Sequence, residues 1–260
     1  LSILIYLTLG LLTSLLFPPY FFLPLGFIIF PFLCLLLDSN RKNESNLNIF
    51  KNFSFFGFGF FISYLFWIKN PFFVFEETKN FFLFFLILII LLSLILSLTF
   101  TIVLKLGKSI PIFFLIPFIF TISEYIISVF FYGFPWFTFS LVISSNKYLL
   151  FPLKFFGTLL SSYLIIQIFC LPSIFLKTLN LKREIRFLAF IITLPIIFLM
   201  ISYFYPKNIH LKTNTIDLEI FQLNFKNNDQ FLTPEKKLNT IIDNIQESTA
   251  DMLIFSENNF

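Results

Sequence analysis

The stretch FFLFFLILIILLSLILSLTFTIVL, residues 81–104, contains no charged side chain and decides what kind of protein this is. An α-helix needs about 20 consecutive apolar residues to cross the hydrocarbon core of a bilayer, and this run is long enough. The composition of the whole chain agrees, since 58% of its 260 residues are hydrophobic and 12% are charged. A soluble domain carries about 25% charged residues. The sequence therefore predicts an α-helical membrane protein.

Seven apolar runs are predicted to form membrane helices. They are Leu1–Phe17, Tyr20–Leu37, Phe50–Ile68, Phe81–Leu104, Ile110–Phe131, Leu149–Leu176 and Phe187–Tyr205. Pro18-Pro19 joins the first run to the second and predicts a tight turn, because proline cannot continue a helix. The first run is short and is not preceded by Met, so the chain is expected to start inside a membrane helix. Residues 1–205 are assigned to a seven-helix transmembrane domain.

The cations in the loops predict the orientation of these helices. Eight follow the second, fourth and sixth runs: Arg41, Lys42, Lys105, Lys108, Lys177, Lys182, Arg183 and Arg186. Three follow the third and fifth runs: Lys69, Lys79 and Lys147. Because Lys and Arg are retained on the cytoplasmic side, the segment after the seventh run is predicted to be periplasmic, with the helices in a bacterial inner membrane. The basic residues follow the cytoplasmic loops, so nucleic acid binding is not expected.

The outward loops are rich in aromatic residues. Those expected near the membrane interface are Phe72, Phe73, Tyr132, Phe134, Trp136 and Phe137. Aromatic belts are usual at this depth. A belt does not explain the order Gly133-Phe134-Pro135-Trp136, which breaks a helix and presents a tryptophan.

From Pro206 onward the pattern changes to that of an α/β unit. Thr215–Leu223 alternates like a strand, Thr233 is a good N-cap for an amphipathic helix, and Asp251–Phe255 is a short apolar run typical of a buried strand. Strand, helix and strand in this order predict a parallel βαβ unit. Two strands and one helix cannot form a core of their own, so residues 206–260 are predicted to begin a larger α/β domain.

Two carboxylates are candidates for chemistry. Glu257 follows the second predicted strand, and ligands of α/β sheets gather at the carboxyl ends of strands. It is a candidate general base, with an exposed strand-end glutamate as the alternative. Glu124 lies inside the fifth run, where ionisable groups are functional by default. It is close to the outer end of that run, so its carboxyl is expected to reach interfacial water.

The remaining reactive residue types give no site. His210 is the only histidine and is expected to be solvated. Cys34 and Cys170 lie within apolar runs and are predicted to be buried thiols. The sequence shows no cluster of metal ligands, no phosphate-binding glycine loop and no Ser/His/Asp set, so neither a metal nor a cofactor is expected.

Four motifs, in this order and spacing, carry a resemblance to a known family. They are FGFGFFISYLFWI (Phe56–Ile68), SEYIISVFFYGFPW (Ser123–Trp136), FQLNF (Phe221–Phe225) and ADMLIFSENNF (Ala250–Phe260). With them, the chain resembles the N-terminal half of apolipoprotein N-acyltransferase, a bacterial inner-membrane enzyme with a periplasmic nitrilase-like domain. It departs from the family pattern at Leu223, which replaces a Gly, and at Ile127, which replaces an Arg. Phe231 stands where a Trp is usual, and Ser256 and Asn258 flank Glu257 where Pro and Ser or Thr are common.

The resemblance implies a multi-pass helical membrane bundle followed by the start of a nitrilase-like α-β-β-α sandwich. It also implies an acyl transfer with two lipid partners, a phospholipid donor and a diacylglyceryl apolipoprotein acceptor. Glu257 matches the general base of the family, whose catalytic Lys and Cys lie further downstream, so the 260-residue chain by itself is expected to be inactive. The candidates for contacting the lipid substrates are Trp136, Phe134, Phe231 and Glu124.

Three other interpretations stay open. The chain could be a non-enzymatic membrane protein, a transporter or a scaffold, in which Glu124 is an ion or substrate site. Transporters usually show matching interrupted helices in two halves, and the sequence has no such pair. The chain could also belong to a membrane-anchored amidase of the nitrilase fold, for which seven spans are excessive, or be an inactive remnant.

Overall fold

The structure is a computed structural model that describes residues 2–40, 45–130, 137–176, 196–198, 200–201, 203, 216–221 and 234–255. The chain divides into two units, Leu1–Tyr205 and Pro206–Phe260. The boundary falls where the sequence changes from long apolar runs to an amphipathic pattern. Most of the described residues are helical.

The first unit is built from α-helices. They are α1 (Ser2–Ser14), α2 (Gly26–Asn40), α3 (Asn46–Tyr64), α4 (Phe82–Leu106), α5 (Ile112–Phe130), α6 (Lys147–Leu150), α7 (Leu153–Cys170) and α8 (Pro172–Leu176). Between them lie the 3-10 helices Leu23–Leu25, Phe66–Phe73, Glu76–Phe81 and Phe139–Ile143.

Among the described residues, three helical stretches are long and apolar enough to cross a membrane: Glu76–Leu106, Ile112–Phe130 and Leu153–Ile174. A fourth results if α3 and the 3-10 helix Phe66–Phe73 count as one span, bent by 52°. These four correspond to the third to sixth predicted runs. The first two runs form shorter apolar helices, and the seventh lies mostly outside the described residues. The seven-helix domain therefore stays a prediction.

Local sequence signals set the ends of the helices. Ser45 caps α3 by accepting a hydrogen bond from the Asn48 backbone N–H at 3.3 Å, so α3 begins before the apolar run at Phe50. Pro152 and Pro172 break the sixth run into α6, α7 and α8, as expected from the missing N–H of proline. Pro18-Pro19 forms the predicted turn between α1 and α2, with a cis peptide bond.

Helices α1 and α3 touch backbone to backbone, and glycine makes this possible. A Cβ atom on Gly10 would lie 2.0 Å from the carbonyl oxygen of Phe56, and one on Gly59 would lie 2.4 Å from that of Leu7. Small residues allow such close packing of membrane helices. Buried phenylalanine rings fill the space between the other helices, for example Phe53 stacked on Phe100 with centroids 3.7 Å apart.

The second unit contains β1 (Leu218–Phe221), α9 (Pro234–Glu247) and β2 (Met252–Phe255). The two strands are parallel, with Leu218 opposite Met252 and Phe221 opposite Phe255. The strand, helix and strand order is thus observed, but the described residues contain only this two-stranded sheet, so the nitrilase-like domain stays a prediction.

The side chains of β1 and β2 are largely exposed among the described residues, so the burial of β2 within a larger domain stays a prediction. Met252 is 51% exposed and Ile254 is 42% exposed, and on β1 Ile220 is 71% exposed. One helix can cover only one face of a sheet: the side chains of β2 alternate between exposed and partly buried, and three of the four on β1 are exposed. An apolar run indicates that a strand can be buried. Whether it is buried depends on the helices or strands that pack against it.

The contact between α1 and α3 gives a first prediction. Gly10→Val should lower the free energy of unfolding by about 1–3 kcal/mol or more, because the added side chain meets backbone that cannot move aside. Detergent-induced unfolding in bicelles, followed by circular dichroism, measures the change. Leu4→Val, on the exposed face of the same helix, is the control and should leave stability nearly unchanged. Equal stability of the two variants would contradict the close approach.

Candidate functional site

One predicted site residue, Glu124, lies among the described residues. The others, Glu257, Trp136, Phe134 and Phe231, lie outside them. The geometry around Glu124 is therefore the part of the predicted site that the structure defines.

Glu124 sits on α5 with 3% of its surface exposed. The backbone N–H of Phe139 donates to its Oε2 at 3.1 Å. The side-chain hydroxyls of Thr138 and Ser162 are also hydrogen-bonded to the carboxyl group. A polar group can be buried at low cost only when its hydrogen bonds are satisfied, and these three donors meet that condition for Glu124.

The bonds of Glu124 join three segments of the first unit. Thr138 and Phe139 begin the 3-10 helix Phe139–Ile143, and Ser162 lies on α7. Ser162 Oγ in turn accepts a hydrogen bond from the backbone N–H of Ser140 at 3.0 Å. The carboxyl of Glu124 therefore fixes the chain that follows the Gly133–Trp136 segment to both α5 and α7.

The expectation that the Glu124 carboxyl reaches interfacial water is wrong. The nearby turn folds over the carboxyl, and the ring of Phe139 is fully buried beside it. That ring contacts Phe17 and Phe120, each with a centroid distance of 5.0 Å. Position along the helix could not reveal this, because the covering residues come after the loop.

Phe137 also differs from its expected place at the interface. It is 1% exposed and packs against Phe61 with a centroid distance of 5.2 Å. Phe73 is 51% exposed, as expected for the rim, while Tyr132 lies outside the described residues. An aromatic run does not show by itself which rings turn inward.

A polar cleft that sequence reasoning missed lies where α1 and α3 end. It has a volume of about 380 Å³ and is lined by residues from segments 14–20 and 63–70. We call it the Lys69 cleft after its cationic residue. Ser14 and Ser63 are hydrogen-bonded to each other at 2.8 Å and tie the two helices together. The Lys69 Nζ lies 3.2 Å from the ring centroid of Phe66.

A second cavity, of about 510 Å³, differs in character. Its described lining comes from α4, α5, the residues between them and Tyr163 of α7, and it contains no charged side chain. It suits hydrocarbon rather than a polar ligand. The described lining of neither cavity contains a cysteine. Cys34 and Cys170 are buried thiols, with 4% and 0% exposure, as the sequence predicts.

In the second unit, the parallel pairing brings the carboxyl ends of both strands to one edge of the sheet, at Phe221 and Phe255. Their rings stack with centroids 5.3 Å apart. Glu257 follows Phe255 by two residues along the chain. In the part of the chain that the structure describes, no group of three His, Cys, Asp or Glu side chains is placed to hold a metal ion.

Comparison with known families shows which family the first unit resembles. The model of the family described as "apolipoprotein N-acyltransferase N-terminal domain" matches residues 9–171, which is more than half of the chain. The matched region includes α2 to α7, the Lys69 cleft and Glu124. A search of curated proteins found no match.

The Glu124 bonds give a second prediction. Glu124→Leu should lower the free energy of unfolding by about 2–4 kcal/mol, since each buried polar group left unpaired costs about 1–3 kcal/mol. Glu124→Gln keeps a carbonyl oxygen for the Phe139 N–H and should cost less than half as much. Unfolding in bicelles measures both. A leucine variant as stable as the parent protein would contradict the anchoring role.

Proposed function

The chain belongs to the apolipoprotein N-acyltransferase N-terminal domain family, and from this premise we propose that it is part of an enzyme that N-acylates apolipoproteins. The acyl donor is a phospholipid, and the acceptor is the N-terminal amine of diacylglyceryl-cysteine. The family match over residues 9–171 is the observation that carries this proposal. The apolar helices, several of which are long enough to cross a membrane, fit an enzyme whose two substrates are both lipids.

The proposed reaction has two steps. A general base removes the proton of a cysteine thiol, and the thiolate attacks the ester carbonyl of the phospholipid. A thioester forms, and the lysophospholipid leaves after its alkoxide oxygen takes up that proton. The amine of the acceptor then attacks the thioester, an amide forms, and the thiol is released. Dividing a difficult transfer into two easier steps is the usual advantage of covalent catalysis.

We assign Glu257 the role of general base in both steps, first toward the thiol and then toward the amine. By analogy with the family, we propose that the nucleophilic Cys and an oxyanion-stabilising Lys follow it in the chain. Cys34 and Cys170 are unsuited to the nucleophilic role because both are buried among the helices. The parallel strands support the assignment of Glu257, which follows β2 by two residues along the chain, since ligands of such sheets gather at the carboxyl ends of the strands.

Glu124 fits an anchoring role better than the ion or substrate site that the transporter hypothesis needs. The residue is 3% exposed, and its carboxyl is hydrogen-bonded to Phe139, Thr138 and Ser162. A transport site must bind and release its ion through an accessible path. We therefore propose that Glu124 acts indirectly, by fixing the position of the Gly133–Trp136 segment, in which Trp136 and Phe134 are proposed to contact lipid together with Phe231.

The general base gives a third prediction. In the complete reading frame that encodes this chain, Glu257→Gln should abolish complementation of a strain depleted of apolipoprotein N-acyltransferase, because the amide cannot accept the proton. Glu247→Gln, at the exposed end of α9, is the matched control and should complement like the parent gene. Growth of the Glu257→Gln strain at the parental rate would overturn the assignment.

Orientation gives a fourth prediction. We propose that residues 206–260 lie on the periplasmic side of the inner membrane, because the loops after the second, fourth and sixth runs hold eight cations and those after the third and fifth runs hold three. Alkaline phosphatase fused after residue 208 should be active, and a fusion after residue 107 should be inactive, since the enzyme folds only outside the cytoplasm. The reverse pattern would exclude this orientation and the proposed site with it.

A further inference from the structure

The Lys69 cleft is chemically suited to an anion. The described residues that line it offer one ammonium group on Lys69, the side-chain amide of Asn70, and hydroxyls on Ser63, Tyr20 and Tyr64. No Asp or Glu is among them. Ammonium, amide and hydroxyl groups all donate hydrogen bonds, and bonds to a charged oxygen are about twice as strong as neutral ones. A singly charged phosphodiester matches the single cation of this cleft.

The walls of the cleft are held in place. The bond between Ser14 and Ser63 joins the ends of α1 and α3. The ring of Tyr64 packs against Phe17 and Phe60, with centroid distances of 4.6 and 5.4 Å. A site whose walls are already fixed loses less conformational entropy when it binds a ligand.

The cleft also lies at the end of an apolar helix. It is at the 52° bend between α3 and the 3-10 helix Phe66–Phe73, where the apolar helix ends. Trp67 and Tyr20 line it and are 47% and 67% exposed. Trp and Tyr are enriched at the level of lipid headgroups, and irregular backbone at a membrane helix usually lines a polar cavity. The anion most abundant at this level is the phosphate of a phospholipid.

We propose that the Lys69 cleft binds the phosphate headgroup of a phospholipid. The Lys69 ammonium, which lies over the ring of Phe66, contacts the phosphodiester oxygens. The aromatic lip of Trp67 and Tyr20 holds the glycerol region above the acyl chains. That this lipid is the acyl donor rests on the proposed function, whereas the binding itself does not.

The test measures lipid binding to the 260-residue chain by native mass spectrometry from detergent. Dioleoyl phosphatidylethanolamine is compared with dioleoylglycerol, which has the same acyl chains and no phosphate. We expect the phospholipid to bind about tenfold or more tightly, the size expected from one charge-assisted hydrogen-bond set. Equal binding of the two lipids would overturn the proposal.

Two matched pairs of variants locate the site. Lys69→Gln should reduce binding of the phospholipid to the level of dioleoylglycerol, and Lys69→Arg should keep most of it. Lys79→Gln removes the same charge from the neighbouring 3-10 helix and should have no effect. Asn70→Asp adds a negative charge to the cleft without changing its volume and should weaken binding, whereas Asn80→Asp should not.

The outcomes separate this proposal from the proposed function. If Lys69→Gln and Asn70→Asp bind the phospholipid as the parent chain does, the cleft is not the site, even if Glu257→Gln abolishes complementation. If both variants lose the phospholipid and Glu257→Gln complements fully, the headgroup site stands and the acyl transfer role of Glu257 falls. Circular dichroism of each variant confirms that the helical content is unchanged.

Discussion

The first unit depends on a carboxyl group that has no access to water. Glu124 can be buried in an apolar helix because Phe139, Thr138 and Ser162 supply its hydrogen bonds. In a membrane, a polar group without partners would cost several kcal/mol. The turn at 138–140 also depends on Glu124, because its N–H and hydroxyl donors need the carboxyl as their acceptor. One side chain thereby links α5, α7 and the loop end between them, and the aromatic core closes around Phe139.

The two polar features of this unit have different consequences. The Glu124 bonds are closed and buried, so they fix structure. The Lys69 cleft is open, carries a cation and is rimmed by exposed aromatic rings, which fits the headgroup binding proposed for it. A lipid-modifying enzyme needs both properties: a rigid helical frame and a polar site at headgroup depth.

Much of the fold could be predicted from the sequence, because a long apolar run directly indicates a membrane helix. The runs at 50–68, 81–104, 110–131 and 149–176 each contain a described helix, and the strand, helix and strand order of the second unit is observed. The bend at Leu65, the burial of Phe137 and the covering of Glu124 could not be predicted. Each depends on contacts between segments distant in the sequence, which periodicity does not record. The Lys69 cleft was missed for the same reason, since its residues come from two separate helix ends. For Glu257, Trp136, Phe134 and Phe231 the sequence assignments remain predictions.

The most direct test of acyl transfer is the chemistry of lipoprotein N-termini. Cells in which the complete reading frame is the only source of N-acyltransferase activity provide the material, and mass spectrometry of N-terminal lipopeptides provides the readout. We predict that the cysteine carries a third acyl chain in amide linkage. If the protein is present in the membrane and the lipopeptides carry only the diacylglyceryl group and a free amine, the proposed function is contradicted.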